Sequence, residues 1–512
     1  MFVTTNGAAV LGVDAQLISI EVNIGKGIRF FLVGLPDNAI KESQHRIDAA
    51  LKNNGYRIPG KAVTINMAPA DLRKEGAAYD LPIAVGILSA SKQINATDLS
   101  EWLIMGELAL DGHLRPVKGV LPMAIAAKDA GLKKIMLPEE NAKEAAIVSD
   151  VEVFGVKHLT EVIDLLSGKS GMQPVTFDTR KHFAQQRNNS HPDFGEVKGQ
   201  EKVKRAFEIA AAGGHNLLLI GPPGSGKSML AKRLPGILPP LNLKEALETT
   251  KIHSVAGFLK EQGLLTTRPF RNPHHTISDV ALVGGGGFPF PGEISLAHHG
   301  VLFLDELPEF KRTVLEVMRQ PLEERTVTIA RAKYTVDYPA NVMLIAAMNP
   351  CPCGYYNHPT KECSCHPGKV QQYLNKVSGP LLDRIDLHVE VTPVDFEDLS
   401  NQRIQAESAS IRERVIQARE VQLKRFQEHD EPMMTNAQLQ PKSLANYCRL
   451  NEESIHMLRH AVDKLKLSAR AYDRILKVAR TIADLELTKH VQSSHIAEAI
   501  QYRSLDRENW AG

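Results

Sequence analysis

A glycine-rich segment contains the residue types that bind a chain of phosphates. Residues 216–228 read NLLLIGPPGSGKS, an apolar run followed by the pattern G-x-x-x-x-G-K-[ST]. Glycines allow backbone N–H groups to turn toward an anion, and the helix predicted from MLAKRL adds the positive end of its dipole. Lys227 is expected to contact the β- and γ-phosphates and Ser228 to ligate Mg²⁺. The predicted nucleotide-binding residues are Gly221, Pro222, Pro223, Gly224, Ser225, Gly226, Lys227 and Ser228. A chance glycine turn is the alternative, and the flanking strand and helix favour the nucleotide site.

Two further apolar runs end in polar residues that would complete this site. In GVLFLDEL, Asp305 and Glu306 follow a predicted buried strand. Asp305 would hold Mg²⁺ together with Ser228, and Glu306 would polarise the attacking water. The run VMLIAAMN ends in Asn349 and resembles the sensor-1 strand of AAA+ ATPases, whose asparagine orients water against the γ-phosphate. The alternative is that Asn349 only caps a loop.

Two arginines are candidates on the basis of the same resemblance. In AAA+ hexamers an arginine near the position of GPLLDRIDL reaches the nucleotide of the neighbouring subunit, and Arg384 fits that position. Such a guanidinium stabilises transition-state charge and couples hydrolysis to assembly. The alternative is an ion pair within the chain, with Asp383 or Asp386. Arg470 in LSARAYDR fits the sensor-2 arginine, with Arg474 as the second choice.

Four of the five cysteines follow the predicted sensor-1 strand closely. They form two Cys-x-Cys pairs with nine residues between them, and they are Cys351, Cys353, Cys363 and Cys365. Four thiolates can form a tetrahedral zinc site, which would fasten a long loop that has no core of its own. Because four protein ligands leave no open position, we expect a structural role. His358 or His366 could replace one thiolate, and free thiols are the alternative.

Two His-His pairs also occur in the chain. His274 with His275, and His298 with His299, have a spacing that suits no obvious tetrahedral site. We therefore expect them to be ordinary loop and helix residues.

The order of the motifs resembles a known family. The segments concerned are the glycine-rich loop, RNPHHTISDVALVGGGGFPFPGEISLAHHGVLFLDEL, RTVTIARAKYTVDYPANVMLIAAMNPCPCGYY and GPLLDRIDLHVEV. They resemble the magnesium-chelatase-like AAA+ proteins, and within them the ComM/YifB type, over essentially the whole chain. The resemblance implies an ATP-driven ring, usually hexameric. For ComM it implies a DNA helicase that promotes branch migration during natural transformation.

The segment TVTIARAKYTVDY is predicted to form a hairpin. Val327 and Ile329 alternate with polar residues along its first strand, and its tip holds Arg331 and Lys333. It resembles the pre-sensor-1 hairpin that ring helicases direct into the central pore. In a ring these cations would contact the phosphates of DNA. The alternative is an ordinary solvated turn.

The N-terminal region resembles a protease domain without its catalytic residues. The segments DLRKEGAAYDLPIAVGILSAS and HLRPVKGVLPMAIAAKDAGLKKIMLPEEN resemble the proteolytic domain of Lon, of ribosomal-protein-S5-like fold. Lon-type catalysis needs a serine activated by a lysine. Ala78 and Leu121 occupy those positions, and Lys118 nearby has no nucleophile to activate. We expect a non-proteolytic scaffold.

Length and composition are consistent with a multidomain globular protein. The 512 residues include 61 Lys and Arg and 59 Asp and Glu, so the net charge of +2 gives no global attraction to nucleic acid. The N-terminus has no basic region followed by a long apolar run, and LPIAVGILSA is too short for a membrane span. We expect a cytoplasmic protein that does not enter membranes. In the cytoplasm, clustered cysteines favour metal binding over disulfides.

The expected architecture is α/β, with an AAA+ P-loop core. The predicted divisions are a Lon/S5-like α+β domain at 1–166, a linker at 167–193, the core at 194–395 and a helical lid at 396–512. The expected cofactors are ATP, Mg²⁺ and structural Zn²⁺, and the expected partners are DNA and further copies of the chain. The expected function is that of a ring-shaped DNA motor. The alternatives are a protein-remodelling motor subunit of metal-chelatase type and a non-enzymatic binding module.

Overall fold

In this computed structural model, the residues described are 1–96, 98–186, 192–259, 263–286, 289–331, 334–356, 358, 360–394, 408–431 and 433–503. Lys333 therefore lies outside the described residues. Among the helices that the structure describes, none combines the length and apolar character that crossing a membrane requires.

The N-terminal region forms a mixed sheet with helices packed on it. Seven strands lie in the order β3-β4-β2-β1-β5-β8-β9, in which β2 is antiparallel to both β1 and β4 and every other neighbouring pair is parallel. Strands β6 and β7 form a separate antiparallel pair. The strands are β1 (Phe2–Leu11), β2 (Asp14–Gly25), β3 (Phe30–Val33), β4 (Ala62–Ala68), β5 (Trp102–Ile104), β6 (Glu107–Leu108), β7 (Leu114–Arg115), β8 (Lys134–Pro138) and β9 (Glu152–Val156). The helices are α1 (Asn38–Lys41), α2 (Ser43–Asn53), α3 (Asp80–Ala90), α4 (Val120–Asp129), α5 (Glu139–Ala145) and α6 (Leu159–Leu166). One apolar cluster extends from Ala8 to Leu166, which is consistent with the predicted first domain.

Part of the predicted linker is helical. Helix α7 (Thr179–Gln186) lies within it, and Phe177 and Phe183 pack against Leu241 and Leu264 of the next region. These aromatic contacts explain why a largely polar segment is ordered there.

The central region contains a five-stranded parallel sheet in the order β11-β14-β17-β10-β18. Its main strands are apolar and buried along their whole length, as expected for a parallel sheet covered on both faces. The strands of this region are β10 (Leu217–Ile220), β11 (Phe270–Arg271), β12 (Gly284–Gly285), β13 (Phe290–Pro291), β14 (Val301–Leu304), β15 (Thr326–Arg331), β16 (Tyr334–Pro339), β17 (Met343–Met348) and β18 (Leu387–Glu390). The helices are α8 (Glu201–Gly213), α9 (Lys227–Ala231), α10 (Leu243–Ala256), α11 (Asp279–Val283), α12 (Glu293–Leu296), α13 (Arg312–Glu316), α14 (Arg319–Glu324), α15 (Pro367–Leu374) and α16 (Gly379–Leu382). The carboxyl ends of β10, β14 and β17 meet at one edge, where ligands bind in open α/β sheets.

The C-terminal region is helical and packs on the central sheet domain. Its helices are α17 (Ser408–Glu428), α18 (Pro441–Tyr447), α19 (Glu452–Leu465), α20 (Ala469–Leu485) and α21 (Ser493–Gln501). The apolar face of α20, including Ile475 and Ile482, shares one core cluster with Phe207 of α8. Arg474 also forms an ion pair with Asp386, just before β18. The helical region is thus joined to the core by apolar packing and by charge.

Candidate nucleotide site and cysteine cluster

The glycine-rich loop connects β10 to α9 with the conformation that its sequence predicts. Gly226 caps the helix at a φ of +87°, a left-handed value that a residue with a Cβ rarely adopts. Gly221 lies close to the backbone after β18, since a Cβ on it would be only 2.3 Å from the carbonyl oxygen of Val391. Gly221 therefore allows the close approach to the backbone after β18, and Gly226 allows the turn into α9.

Lys227 is held inside the loop. Its Nζ donates to the carbonyl oxygens of Gly221 and Pro222, each at 2.8 Å, and to Oδ1 of Asn349 at 3.2 Å. Burial lowers the pKa of Lys227, and the carboxylate of Asp305 works against that shift. The predicted sensor residue and the predicted phosphate-binding lysine are thus in direct contact.

Ser228 and Asp305, the two predicted magnesium ligands, are in contact. The Ser228 hydroxyl donates to Oδ2 of Asp305 at 2.5 Å, across the gap between α9 and the end of β14. Oδ1 of the same carboxylate accepts from the backbone N–H of Glu306 at 2.9 Å. A hydroxyl and a carboxylate are hard oxygen ligands of the kind that Mg²⁺ prefers.

Glu306 is exposed and has a partner that the sequence did not indicate. Its side chain is 59% exposed, and its φ of +53° turns the chain sharply after β14. Nδ1 of His275 lies 3.2 Å from Oε2 of Glu306. His275 belongs to the first His-His pair, which we expected to be unremarkable loop residues. The only sequence signal was its position shortly after the strand β11, which neighbours β14.

Arg384 is turned inward in the single chain. It is 6% exposed, and its guanidinium contacts Oε1 of Glu323 at 2.6 Å and the carbonyl oxygen of Pro380 at 2.7 Å. An internal ion pair was the alternative to the arginine-finger prediction, but with Asp383 or Asp386 as the expected partner. Asp386 instead pairs with Arg474.

Arg470 and Arg474 lie one turn apart on α20 and differ in exposure. Arg470 is exposed in the first turn of the helix, whereas Arg474 is engaged with the buried Asp386. Of the two sensor-2 candidates, Arg470 is therefore the one whose side chain faces solvent.

The four predicted zinc ligands come together in space. Their sulfur atoms all lie within 4.8 Å of one another, and the separations among Cys351, Cys353 and Cys363 are 3.3, 3.6 and 3.7 Å. Tetrahedral Zn–S bonds of about 2.3 Å place sulfur atoms roughly 3.7 Å apart. The donor set and its spacing therefore fit zinc. None of the four is joined in a disulfide.

The cysteine loop contacts the glycine-rich loop. Gly354 has a φ of +84°, and a Cβ on it would lie 2.4 Å from Cδ of Pro223. Pro223 belongs to the predicted nucleotide-binding residues. A metal that holds Cys351 and Cys353 would therefore also fix one wall of the nucleotide site.

A second cluster of metal-type ligands has the wrong protonation for a metal. Glu248, His298 and His299 place one ligand atom each within 4.8 Å of one another. However, Nδ1 of His298 accepts from the backbone N–H of Asn341 at 3.0 Å, so the neutral ring carries its proton on Nε2. That Nε2 lies 3.5 Å from Glu248, and Nε2 of His299 lies 2.8 Å from the same carboxylate. The cluster is thus a hydrogen-bonded acid with two imidazoles.

The predicted hairpin is present before the sensor strand. β15 and β16 pair antiparallel, with Arg331 opposite Tyr334, and Val327 and Ile329 are buried as their alternation predicted. Val336 packs against Gly12 of the N-terminal region, where a Cβ would lie 2.5 Å from its Cγ1.

The sheet and site together define a class. A parallel sheet with a P-loop after β10, an acidic pair after β14 and a polar residue after β17 is the arrangement of AAA+ proteins. Residues 193–399 match the family described as magnesium chelatase, subunit ChlI. Residues 20–141 match subunit ChlI of Mg-chelatase, and residues 405–503 match the C-terminal part of that subunit.

Full-length relatives narrow the class. A YifB protein of Salmonella typhimurium is 46% identical over 98% of this chain and 96% of its own length. The competence protein ComM of Haemophilus influenzae is 44% identical over 98% of this chain and 97% of its own length. The chain belongs to the magnesium-chelatase-like AAA+ family, in the group of the YifB and ComM proteins, as the motifs predicted.

A resemblance to Lon proteases is also found. Lon protease 2 of Bacillus subtilis is 30% identical over 146 residues, which cover 28% of this chain and 26% of that protein. In this structure Leu121 is fully buried, and Ala78 has no functional atom. The residues at the predicted protease positions therefore supply neither nucleophile nor base.

Proposed function

We propose that this protein is an ATP-hydrolysing ring motor that acts on DNA. The observation that carries the proposal is the convergence of Lys227, Ser228, Asp305 and Asn349 at one edge of the parallel sheet. A β-hairpin lies directly before the strand that ends in Asn349. Movement at the nucleotide would thus be passed along β17 to the hairpin.

The proposed hydrolysis uses groups of this chain in distinct roles. Lys227 would exchange its bonds to two carbonyls for bonds to the β- and γ-phosphates of ATP. Mg²⁺ held by Ser228 and Asp305 would neutralise charge that develops on the phosphates. Asn349 would orient the attacking water, and Glu306 would take its proton.

Assembly into a ring, usually of six copies in this class, would complete each site. In this proposal Arg384 reaches the nucleotide of the adjacent copy, for which its ion pair with Glu323 must open. Arg470, already exposed on α20, would act as the sensor of the helical lid. Both roles rest on the positions of these residues in the family pattern.

DNA as the substrate is supported by the relatives and by the two cations, Arg331 and Lys333, in the hairpin segment. ComM of Haemophilus influenzae is a competence protein by name, and DNA uptake is the process that competence denotes. We extend this to a helicase that promotes branch migration in natural transformation, located in the cytoplasm, with Arg331 and Lys333 at the DNA. The proposed Zn²⁺ on the four cysteines and the non-proteolytic N-terminal domain are structural parts of this machine.

The second candidate function is remodelling of a protein partner. Its support is the family description, magnesium chelatase subunit ChlI, which covers the central and terminal regions. Such a motor would use the same ATP site without needing DNA.

The two candidates are separated by ATPase rates measured with and without single-stranded and forked DNA. A DNA motor is expected to hydrolyse ATP several-fold faster on DNA and to unwind the fork. No stimulation together with no DNA binding would favour the protein-remodelling function. No hydrolysis at all, with or without DNA, would reject both.

A further inference from the structure

A small cavity lies at the end of the sheet opposite the nucleotide. Its volume is about 40 Å³, and its walls include Gly300 and Met343, at the amino ends of β14 and β17. Since β17 spans six residues, the cavity is roughly 20 Å from the P-loop edge. Thr435 of the helical region closes the other side. The cavity is thus a junction between the core and the helical lid.

Three guanidinium groups line this cavity, and one of them is fully paired. Nη2 of Arg268 contacts the carboxylate of Glu245 at 2.9 Å, and its Nη1 donates to the carbonyl oxygen of His299 at 2.7 Å. The same carboxylate also accepts from the backbone N–H of Asn242 at 3.0 Å. Glu245 is therefore committed to Arg268 and to its own helix cap.

Among the described residues, the other two guanidinium groups contact neutral partners only. Arg419 donates from Nε and Nη2 to the carbonyl oxygen of Ala211, at 3.1 and 2.8 Å. Arg325 donates from Nη1 to Oδ1 of Asn341. Burial lowers the pKa of Arg419 to about 9 and that of Arg325 to about 10. Repulsion by Arg268 across the cavity contributes to this lowering of the pKa of Arg419, and the carboxylate of Glu245 works against it.

The charge balance of this cavity calls for an anion. Arg325 and Arg419 are half-buried. Withdrawing cations together from water is costly unless an opposite charge is present, and Glu245 alone cannot serve three guanidinium groups. Guanidinium groups pair best with planar or tetrahedral oxyanions, to which they offer two parallel N–H donors. The volume has room for roughly three water molecules, a space that one phosphate group can take.

We propose that Arg325 and Arg419 bind a single phosphate group between the core and the helical lid. The group would be either free inorganic phosphate or a backbone phosphate of nucleic acid. The first source is attractive because ATP hydrolysis produces phosphate, and the second because the cavity lies at the base of the hairpin.

The position gives the bound group a mechanical consequence. The carbonyl oxygen of Arg325 accepts from the backbone N–H of Ala340 at 2.7 Å, which closes the base of the β15–β16 hairpin. Arg419 lies on α17 of the helical region. A phosphate held by both would therefore tie the hairpin base to the lid, and its release would let them move apart.

The test is titration of the full-length chain with inorganic phosphate, at constant ionic strength set with chloride. The Lys227→Ala variant is the background, because it removes phosphate binding at the P-loop. We expect the thermal midpoint to rise with phosphate and to saturate. Arg325→Gln and Arg419→Gln should each weaken the apparent affinity at least tenfold. Arg459→Gln, which changes an exposed arginine on α19, should leave it unchanged.

A second measurement guards against variants that fail to fold. The Lys227→Ala chain retains all residues of the cavity. Its binding of inorganic phosphate is measured by broadening of the phosphorus NMR signal. If the rise in thermal midpoint and the line broadening persist in Arg419→Gln, the phosphate binds elsewhere. If neither exceeds the effect of chloride, binding of free phosphate is overturned. In that last case a short single-stranded oligonucleotide is titrated instead. Loss of its effect in Arg419→Gln would assign the source to nucleic acid, and persistence would overturn the proposal altogether.

Discussion

Nδ1 of His275 lies 3.2 Å from Oε2 of Glu306, so the proposed catalytic base is engaged by the loop that follows β11. A carboxylate in contact with an imidazole is less available to accept a proton from water. His275 would therefore hold Glu306 in a resting position until nucleotide or a neighbouring copy displaces it. Replacement by alanine removes this contact, and an exposed charge pair is worth up to about 1 kcal/mol, which corresponds to a factor of roughly five in rate.

We accordingly expect His275→Ala to raise the ATPase rate without DNA by up to about fivefold. The measurement is steady-state phosphate release by the full chain. His274→Ala is the matched control, because Nδ1 of that residue contacts Oγ1 of Thr276 at 2.9 Å and not the carboxylate. A His275→Ala rate that falls instead would mean that the imidazole positions Glu306 for catalysis.

The roles of Glu306 and Lys227 are separable. Glu306→Gln keeps the shape of the side chain but removes the carboxylate that takes the proton, so ATP should still bind while hydrolysis falls by about a hundredfold or more. Lys227→Ala should instead weaken ATP affinity, because the cation facing the phosphates is lost. Fluorescent-nucleotide binding and phosphate release on the same preparations distinguish the two defects. Wild-type turnover by Glu306→Gln would reject the assignment of the base.

The parts of this protein that sequence predicted well are those encoded locally. The P-loop, the strand ending in Asp305 and the strand ending in Asn349 are apolar runs with polar ends, and parallel pairing brings those ends together. The general α/β architecture, with a parallel sheet and a helical C-terminus, was predicted for the same reason.

Contacts between distant segments were not predictable in this way. The pair of Arg384 with Glu323 joins α16 to α14, and no pattern near Arg384 indicates that carboxylate. The engagement of Glu306 by His275 likewise depends on the neighbouring strands β11 and β14. Arg419 gave no signal either, because an arginine on a helix is usually solvated.

The cysteine loop provides a prediction about metal. We expect about one zinc ion per chain in protein purified without added metal, and none after replacement of Cys351, Cys353, Cys363 and Cys365 by serine. Because Gly354 packs on Pro223, loss of the metal should also weaken ATP binding several-fold. Elemental analysis and nucleotide titration provide the two readouts, with Cys448→Ser as the control for a buried cysteine outside the loop. Zinc retained by the fourfold variant would place the metal elsewhere.

The folded chain is expected to lose stability in acid because of the cluster of Glu248, His298 and His299. Burial lowers the pKa of His298 to about 4, and hydrogen bonds from His298 and His299 hold the pKa of Glu248 well below its usual range. Both groups bind fewer protons in the folded chain than in the unfolded chain, so stability falls as pH falls. The histidine contribution is complete above about pH 6.5 and is lost toward pH 4, at a cost of up to about 3 kcal/mol.

Urea midpoints measured at pH 7, 6 and 5 test this sensitivity. In His298→Gln the amide can accept from Asn341 and donate to Glu248 without titrating, so the loss of stability on acidification should be smaller than in the wild type. His456→Gln, at an exposed position on α19, should retain the wild-type slope. Equal slopes in all three proteins would remove His298 as the source.

The hairpin provides the most direct test of a DNA motor. In the proposed ring, Arg331 and Lys333 contact the phosphates of the strand in the pore, and charge reversal of both to glutamate would repel that strand. Each lost phosphate contact lowers the salt slope of single-strand binding by about 0.7. The nucleotide site is built from other residues, so ATPase without DNA and assembly should persist, while stimulation by DNA and fork unwinding should be lost. Thr328→Ala, which changes an exposed side chain bonded to Asp337 on the same hairpin, is the control for hairpin damage.

Both assays, the ATPase rate and fork unwinding, are run together with sizing on one preparation of each variant. Unwinding that persists in the double variant would move the DNA contact to another segment, such as GGGGFPFPG at 284–292. Loss of both activities with monomers on sizing would instead make the hairpin an element of ring assembly.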